Sequence, residues 1–280
     1  MDARALPWAM LEPIARRIAR FPRGWGLYEF GVVLGAGSTE WLRRHRLIIQ
    51  ELEQLRTRDG AQTLRVLDFG GGGGQMRQIL RIYGLESRYE LHLVDVDRAA
   101  VESAQLGGSL ATKHVIGFEP PLPFPDRAFD VAVSSDVFEH IPAEQRSAWA
   151  EELRRVTRLG QVHTMPCDDD TGHWASGATD RDLAAWYRDR FGTEERWTVE
   201  HIANGVPTVR ELRSIFDGAR IDGFANVKVW TESMHQQFGS PGLRGRLAFG
   251  LRYLFRLRDE DRRPPYKACL VVAPAAAPAG

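Results

Sequence analysis

Two acidic residues that end short apolar runs could bind a positively charged or hydroxylated ligand. The first, Asp68, lies at the end of the run 64–69 and precedes a glycine-rich turn that includes Gly70, Gly72 and Gly74. A turn without side chains lets a ligand lie against the backbone, because no Cβ intervenes and unusual φ and ψ angles are accessible. Because a carboxylate beside this turn repels a pyrophosphate, the pattern favours a ligand with a cationic centre and an ammonium group.

The spacing of the glycines argues against two other nucleotide-binding patterns. The turn satisfies D-x-G-x-G-x-G from Asp68, but G-x-G-x-x-G fails because its last position falls on Gln75 or Met76. The phosphate loop G-x-x-x-x-G-K-[ST] fails as well, since no lysine lies near the turn. The second acid, Asp95, ends the next apolar run, where a carboxylate can accept hydrogen bonds from both hydroxyls of a ribose. The acids indicate a nucleoside ligand, and the broken G-x-G-x-x-G disfavours a nicotinamide-dependent dehydrogenase.

A third block completes a pattern that resembles the class I S-adenosylmethionine-dependent methyltransferases. It spans residues 122–142 and contains the sequence DVFEHIP at residues 136–142. The resemblance covers residues 64–166 and is nearest to the small-molecule group that includes quinone-pathway and sugar methyltransferases. It implies an α/β, Rossmann-like fold, S-adenosylmethionine as the cofactor, and methyl transfer to a small-molecule acceptor.

The resemblance also assigns cofactor-binding roles within these blocks. Asp68 would contact the methionine amino group, and Asp95 would hold the ribose while its apolar neighbour packs on the adenine. Phe118 or Glu119 would contact the adenine, because this segment departs from the usual acidic position of the family. The predicted cofactor-binding residues are Asp68, Gly70, Gly72, Gly74, Gln75, Asp95, Val96, Phe118, Glu119, Ser134 and Ser135.

Three residues are candidates for taking a proton from the acceptor. His140 follows the fourth predicted strand, and histidine has a pKa suited to this task near neutral pH, although His140 could instead cap the next helix or bond Glu139. Asp168 and His173 belong to a group of polar residues after the fifth strand, where a general base is favoured over a metal ion because neighbouring carboxylates rarely converge. This group, which could also be a solvated loop, is His163, Cys167, Asp168, Asp169, Asp170 and His173.

Alternating strand and helix patterns predict a mainly parallel, doubly wound, seven-stranded sheet with helices on both faces. Pro142 and Gly160 are expected to bound the helix after the fourth strand. The last strand is expected to be antiparallel, as the resemblance implies. Strands are predicted at 64–69, 90–95, 112–116, 129–134, 161–165, 223–230 and 267–273. Helices are predicted at 40–57, 75–83, 97–106, 143–158, 180–190 and 208–217.

Segments beyond the minimal fold are expected to shape the acceptor pocket. Residues 40–273 form the predicted catalytic domain, with insertions after strands 5 and 6 at 167–207 and 231–266. Residues 1–39 are the predicted N-terminal lid, and the Ala/Pro-rich residues 274–280 are a predicted disordered tail. Because ligands of open α/β sheets bind beyond the carboxyl ends of the strands, these insertions would surround the acceptor.

Composition and charge limit the function classes further. The 280 residues include 37 basic and 37 acidic side chains, and this balance argues against a nucleic-acid-binding protein. Cys167 and Cys269 are too few for a disulfide framework. Residues 1–10 lack the features of a signal peptide, and no run is apolar enough to span a membrane, so a cytoplasmic location is expected. Sparse lysine beside abundant arginine indicates a bacterial, GC-rich genome.

Two basic amphipathic stretches, 6–23 and 243–258, are interpreted as lid helices in preference to peripheral membrane contacts. Arginines near the pocket could clamp a phosphorylated acceptor, and His201 is expected to face the same pocket. The favoured function is biosynthetic O-methylation of a sugar, a glycan precursor or a natural product. The alternative is a non-methylating S-adenosylmethionine-binding protein or a degenerate partner subunit. The oligomeric state is left open.

Overall fold

The computed structural model describes residues 40–239, 242–257 and 260–275, which form one sheet between two layers of helices. The strands are β1 Leu64–Phe69, β2 Tyr89–Asp95, β3 Leu110–Val115, β4 Phe129–Ser135, β5 Thr157–Pro166, β6 Arg220–Asn226 and β7 Tyr266–Pro274. The helices are α1 Glu40–Asp59, α2 Gln75–Tyr83, α3 Arg98–Ser103, α4 Ala143–Arg155, α5 Ser176–Phe191, α6 Arg196–Asn204, α7 Val209–Ile215, α8 Val227–Gly239 and α9 Leu243–Arg252.

The seven strands form a sheet of order β3-β2-β1-β4-β5-β7-β6. Strands β1 to β5 pair in parallel, whereas β7 lies antiparallel between β5 and β6. The strand order reverses between β1 and β4, and this is the position where open α/β sheets form a ligand crevice. The mainly parallel sheet and its antiparallel last strand confirm the predicted fold class.

Apolar residues of each strand alternate between two cores, one on each face of the sheet. In β1, Leu64 and Val66 belong to the first core, while Leu67 and Phe69 belong to the second. Helices α1, α2, α3, α5 and α8 contribute to the first core, and α4 and α7 contribute to the second. Because both faces are covered, a parallel sheet is the stable solution for these apolar strands.

The sixth strand is shorter than predicted, because a helix replaces the second half of the predicted strand 223–230. Strand β6 ends at Asn226, and α8 begins at the next residue. The Asn226 side chain accepts hydrogen bonds from the backbone N–H groups of Lys228 (3.0 Å) and Val229 (3.3 Å). This N-cap satisfies donors that would otherwise be unpaired at the start of α8.

The predicted helix 143–158 was also too long, and the role given to Gly160 was wrong. Helix α4 starts after Pro142 as predicted, but it ends at Arg155, and Gly160 lies inside β5 opposite Pro274 of β7. Gly160 has a φ of +135°, and a Cβ there would lie 2.3 Å from the carbonyl oxygen of Ala273. The glycine is therefore required by the close approach of β7.

Several predicted segments lie wholly or partly outside the described residues. These include the N-terminal lid 1–39 with its amphipathic stretch 6–23, and residues 276–280 of the predicted tail, whose first residue, Pro274, ends β7. The stretch 243–258 forms α9 and a π-helical turn at Tyr253–Leu257. Helices α6 and α8 were not predicted. In the described ranges, every helix is too short or too polar to cross a bilayer.

Candidate active site

A cavity of about 1610 Å³ lies at the carboxyl ends of the parallel strands. It has two parts, which we name by the elements that bound them. The loop half is formed by the turns after β1, β2 and β3 and includes Gly70, Gly71, Gly72, Gly73, Gln75, Asp95, Val96, Phe118 and Ser135. The helix half is formed by the turn after β4, by α5, α6 and α8, and by the start of β7, and includes His140, Asp180, Arg196, Trp197, His201, Trp230 and Lys267.

The glycine turn after β1 folds tightly against the neighbouring strand. The backbone N–H groups of Gly70 and Gly71 donate to the carbonyl oxygen of Val94 at 2.9 and 3.3 Å. Gly70 has a φ of +68°, and a Cβ at that position would lie 2.4 Å from a methyl group of Val137. A side chain is thus excluded at Gly70 both by backbone conformation and by space, and the backbone of residues 70–73 forms part of the cavity wall.

Asp68 lies buried directly beneath this turn, and its side chain is 5% exposed. Its Oδ2 atom has no hydrogen-bond partner among the described residues. Burial, together with the neighbouring carboxylate of Asp95, raises the pKa of Asp68 to about 7. A buried carboxylate without a partner is costly, so this position suits an ammonium group supplied by a ligand.

Asp95 connects the end of β2 to the glycine turn. Its Oδ2 accepts the backbone N–H of Gly72 and its Oδ1 accepts that of Asp97, both at 2.8 Å. Each carboxylate oxygen can accept more than one hydrogen bond, so ribose hydroxyls could share these atoms. Beside it, Val96 and Phe118 present apolar surface to the cavity, and Phe118 is 77% exposed. An exposed aromatic ring on a cavity wall can stack on a planar base.

Only some of the remaining residues predicted to bind the cofactor line the cavity. Gln75 and Ser135 line the cavity, whereas Gly74 is the N-cap residue of α2 behind the cavity wall. Ser134 is buried, and its hydroxyl lies 2.8 Å from Nδ1 of His163, so its side chain has a structural partner. Glu119 is exposed and outside the cavity lining. Of the two candidate adenine contacts, Phe118 is the one at the cavity.

His140 lies in the turn between β4 and α4, on the wall of the helix half. Its Nδ1 is 3.2 Å from Oε2 of Glu200 on α6, and its ring centroid is 4.9 Å from that of His201. Burial lowers the pKa of His140 to about 4, and the neighbouring His201 contributes to this shift. The imidazole is therefore neutral near neutral pH and can offer a lone pair to a proton or a metal ion.

A chain of polar groups continues from His201 along the wall of the helix half. Its Nδ1 is 3.2 Å from Oδ2 of Asp180, whose other oxygen is 2.9 Å from Nζ of Lys267. Burial raises the pKa of Asp180, but Lys267 and His201 outweigh this effect and hold it below its usual value. The Lys267 ammonium also lies 4.8 Å from the centroid of the Trp230 ring. The aspartate is thus ionised and orients the His201 imidazole.

Glu139, next to His140, is fully buried at 0% exposure. Neither of its carboxylate oxygens has a hydrogen-bond partner in the described part of the chain, although Oε1 lies 3.9 Å from Nε2 of His201. Burial raises the pKa of this carboxyl to about 8. Glu139 is therefore a second buried acid without a hydrogen-bond partner among the described residues.

Asp168 and His173, two of the predicted proton acceptors, lie outside the cavity lining. Asp168 accepts the backbone N–H of Gly177 at 2.9 Å, at the start of α5. His173 is exposed, and its ring packs against Trp174 at a centroid distance of 4.5 Å. The polar group after β5 is therefore dispersed: His163 is buried in the sheet and Asp169 holds a turn. His140 is the candidate that lines the cavity.

Sequence reasoning missed Asp180 and Lys267. Lys267 offered a signal, because it is one of three lysines in the chain and interrupts the apolar run YKACLVV. A lysine inside an apolar strand is buried only when it is paired. Asp180 offered no signal of its own, since it stands among other charged residues at the start of a predicted helix.

The strand order, the glycine turn and the two acids at strand ends define the class I S-adenosylmethionine-dependent methyltransferase fold. The chain belongs to the methyltransferase-domain family, whose model matches residues 41–229, more than half of its length. S-adenosylmethionine is therefore the cofactor. Oδ2 of Asp68, which has no hydrogen-bond partner in the described part of the chain, fits its ammonium group, and the turn at Gly70, where a Cβ would clash, fits its close approach to the backbone.

Comparisons with other proteins agree with this assignment. An uncharacterized methyltransferase of Mycolicibacterium gilvum (strain PYR-GCK) is 31% identical over 121 residues, which are 42% of this chain and 44% of that protein. The match thus spans less than half of the curated relative. A crystal structure of a candidate sarcosine dimethylglycine methyltransferase from Galdieria sulphuraria has a TM-score of 0.50 at 16% identity, covering 84% of this chain and 86% of that one.

The plantazolicin methyltransferase BpumL, solved in complex with S-adenosylhomocysteine, has a TM-score of 0.47 at 12% identity, covering 95% of this chain and 97% of that one. At 16% identity, the Galdieria sulphuraria structure supports the fold alone.

Proposed function

We propose that this methyltransferase transfers the methyl group of S-adenosylmethionine to a hydroxyl oxygen of a small-molecule acceptor. The observation that carries the proposal is the continuous cavity, whose loop half suits the cofactor and whose helix half offers imidazoles and aromatic rings. A volume of about 1610 Å³ exceeds that of typical single-ligand pockets, so it suits two ligands.

In the loop half, the protein's main task is to bind and orient. The Asp68 carboxylate would pair with the methionine ammonium group, and Asp95 would accept the ribose hydroxyls. Val96 and Phe118 would enclose the adenine. Bound S-adenosylmethionine supplies a methyl group on a sulfonium centre, activated for in-line displacement.

The helix half has the features of an acceptor site for a ring that carries hydroxyl groups. Trp197 is 53% exposed on the cavity wall and could stack on a sugar or an aromatic ring. The Arg196 guanidinium lies 4.8 Å from the centroid of this indole and also lines the cavity. A cation beside a stacking surface supports an acceptor that also carries a phosphate or carboxylate group, such as a nucleotide sugar or a lipid-linked glycan.

O-methylation requires removal of the hydroxyl proton as the new C–O bond forms and the C–S bond breaks. His140 and His201 are the imidazoles in the helix half, and Asp180 orients the second of them. These imidazoles would lie beside the acceptor hydroxyl and assist the loss of its proton. Asp168 and His173 are not part of this proposal, because they do not line the cavity.

The proposal is tested first by calorimetric titration of S-adenosylhomocysteine, with NAD as the control ligand. We expect micromolar binding of the first and none of the second. The second stage is transfer from methyl-labelled S-adenosylmethionine to a panel of sugars, nucleotide sugars and phenols, each beside its deoxy analogue. Labelling of the hydroxylated compounds alone supports O-methylation. Equal labelling of a deoxy analogue, or labelling of amines alone, contradicts it.

A further inference from the structure

We propose that Glu139, His140 and His201 form a binding site for a divalent transition-metal ion in the helix half of the cavity. One ligand atom from each of these three residues lies within 4.8 Å of the other two. The residues come from the turn after β4 and from α6, so they converge only in the folded chain. Two imidazoles and one carboxylate are a donor set that binds Zn²⁺, Co²⁺ and Fe²⁺.

Each of the two histidines has a carboxylate oxygen close to its Nδ1 atom. Nδ1 of His140 lies 3.2 Å from a Glu200 oxygen, and Nδ1 of His201 lies 3.2 Å from an Asp180 oxygen. A carboxylate beside one ring nitrogen takes its proton in a hydrogen bond and leaves the lone pair on Nε2. His201 thus has the carboxylate–histidine arrangement that fixes the tautomer required for coordination, whereas Nδ1 of His140 makes no hydrogen bond to the nearby Glu200 oxygen. Asp180 is itself held by Lys267.

Glu139 supplies an independent reason to expect a cation. Its carboxylate is fully buried, and within the described ranges neither oxygen has a hydrogen-bond partner. Burial of a carboxyl group without a partner is unfavourable, and coordination of a cation would satisfy it. The separation of 3.9 Å between Oε1 of Glu139 and Nε2 of His201 leaves room for an ion between the two atoms.

The position of this site suggests its use, and this step rests on the proposed O-methylation. Three protein ligands leave at least one coordination position open, and His140 and His201 both line the cavity. An acceptor hydroxyl at the open position would lose its proton to solvent more readily, because the ion stabilises the oxyanion. The oxygen then forms the bond to the methyl carbon while the C–S bond breaks. The ion would favour acceptors with two adjacent oxygens, which can chelate it.

The test is a titration of tag-free, metal-stripped, full-length protein with Co²⁺, followed in the visible absorption bands of the ion. We expect saturation at one Co²⁺ per chain and displacement by Zn²⁺. His201→Ala and the near-isosteric Glu139→Gln should each weaken Co²⁺ binding by at least about tenfold. The matched control is His173→Ala, which removes an exposed histidine outside the cavity and should leave Co²⁺ binding unchanged.

Each variant is also titrated with S-adenosylhomocysteine, which reports an intact fold and cofactor site independently of the metal. The inference is overturned if wild type does not saturate with Co²⁺, or if His201→Ala and Glu139→Gln bind Co²⁺ as wild type does. Loss of Co²⁺ binding in His173→Ala would also overturn the inference, and it would assign the metal to the polar group after β5. Co²⁺ binding without transfer to any hydroxyl would leave the metal site standing and contradict the proposed O-methylation.

Discussion

The two halves of the cavity are built in different ways. In the loop half, a short contiguous segment, Gly70 to Gly73, presents backbone atoms to the cavity, Asp95 lines it, and Asp68 lies buried beneath the turn. In the helix half, long side chains converge from the turn after β4, from α5 and α6, and from β7. The loop half is thus lined mainly by backbone of one short segment, whereas the helix half is lined by side chains from elements that are distant in sequence.

The halves also differ in how their buried charges are balanced. Asp180 in the helix half is paired with Lys267 and His201 inside the protein. Asp68 in the loop half has a carboxylate oxygen with no partner in the described part of the chain. In the first arrangement the charges are balanced within the protein, whereas in the second a bound cation would supply the partner of the carboxylate. The following variants test the two arrangements independently.

The largest effect is expected from breaking the buried pair of the helix half. Lys267→Met removes the ammonium group 2.9 Å from Asp180 and leaves a buried carboxylate behind. We expect the free energy of unfolding to fall by about 3–5 kcal/mol in urea denaturation, because a buried charge has lost its partner. Adding Asp180→Asn should recover part of this loss. Wild-type stability in Lys267→Met would show that the pair contributes nothing.

A smaller but more specific effect is expected from Asp68→Asn. S-adenosylhomocysteine should bind about 1.5–3 kcal/mol more weakly, or about ten- to hundredfold, because a hydrogen bond to a charged group is lost. The folded pKa of Asp68 is about 7, against a usual value of 3.8, so its ionisation destabilises the ligand-free fold as pH rises.

The ligand-free Asp68→Asn protein should therefore melt at a higher temperature than wild type at pH 8. The control is Glu119→Gln, an exposed acid outside the cavity lining, which should leave both quantities unchanged. A comparable loss of affinity in this control would contradict the specific role of Asp68.

The pH dependence of cofactor binding is a further test of the role of Asp68. The ammonium group favours ionised Asp68, whose pKa in the ligand-free protein is about 7. As pH falls through this value the carboxylate is protonated, so affinity for S-adenosylhomocysteine should be about tenfold lower at pH 6 than at pH 8. Calorimetry across this range at constant ionic strength measures it. Asp68→Asn should give a flat profile, and an equally steep profile would assign the titration to another group.

The smallest effect is expected from His173→Ala, although the sequence made this residue a candidate base. The side chain is exposed and packs beside Trp174, outside the cavity lining. Cofactor affinity and turnover should both stay within about twofold of wild type, as for most surface substitutions. A large loss of turnover with unchanged cofactor affinity would return the proton-acceptor role to the polar group after β5.

Most of the fold was predictable because its signals are local. Strand β1 and helix α2 match their predicted bounds, and the other strands start or end close to theirs apart from β6. The errors occurred where a tertiary contact overrode a local pattern. The apolar residues after Asn226 have the pattern of a strand, but they form a helix because the Asn226 side chain caps its start. Gly160 has the position of a helix end, but it lies in a strand because β7 packs closely against it.

By itself, the sequence determined the cofactor class, because the glycine turn and the two acids follow predicted strands in a fixed order. Only the tertiary structure decided which polar residues face the acceptor. Asp168 and His173 lie within a short polar segment of the sequence, yet both are outside the cavity lining. Residues that are far apart in the sequence come together instead, namely Glu139, Asp180, His201 and Lys267. The physical reason is that a backbone-lined turn is encoded by adjacent residues, whereas a site built from side chains depends on how distant elements pack.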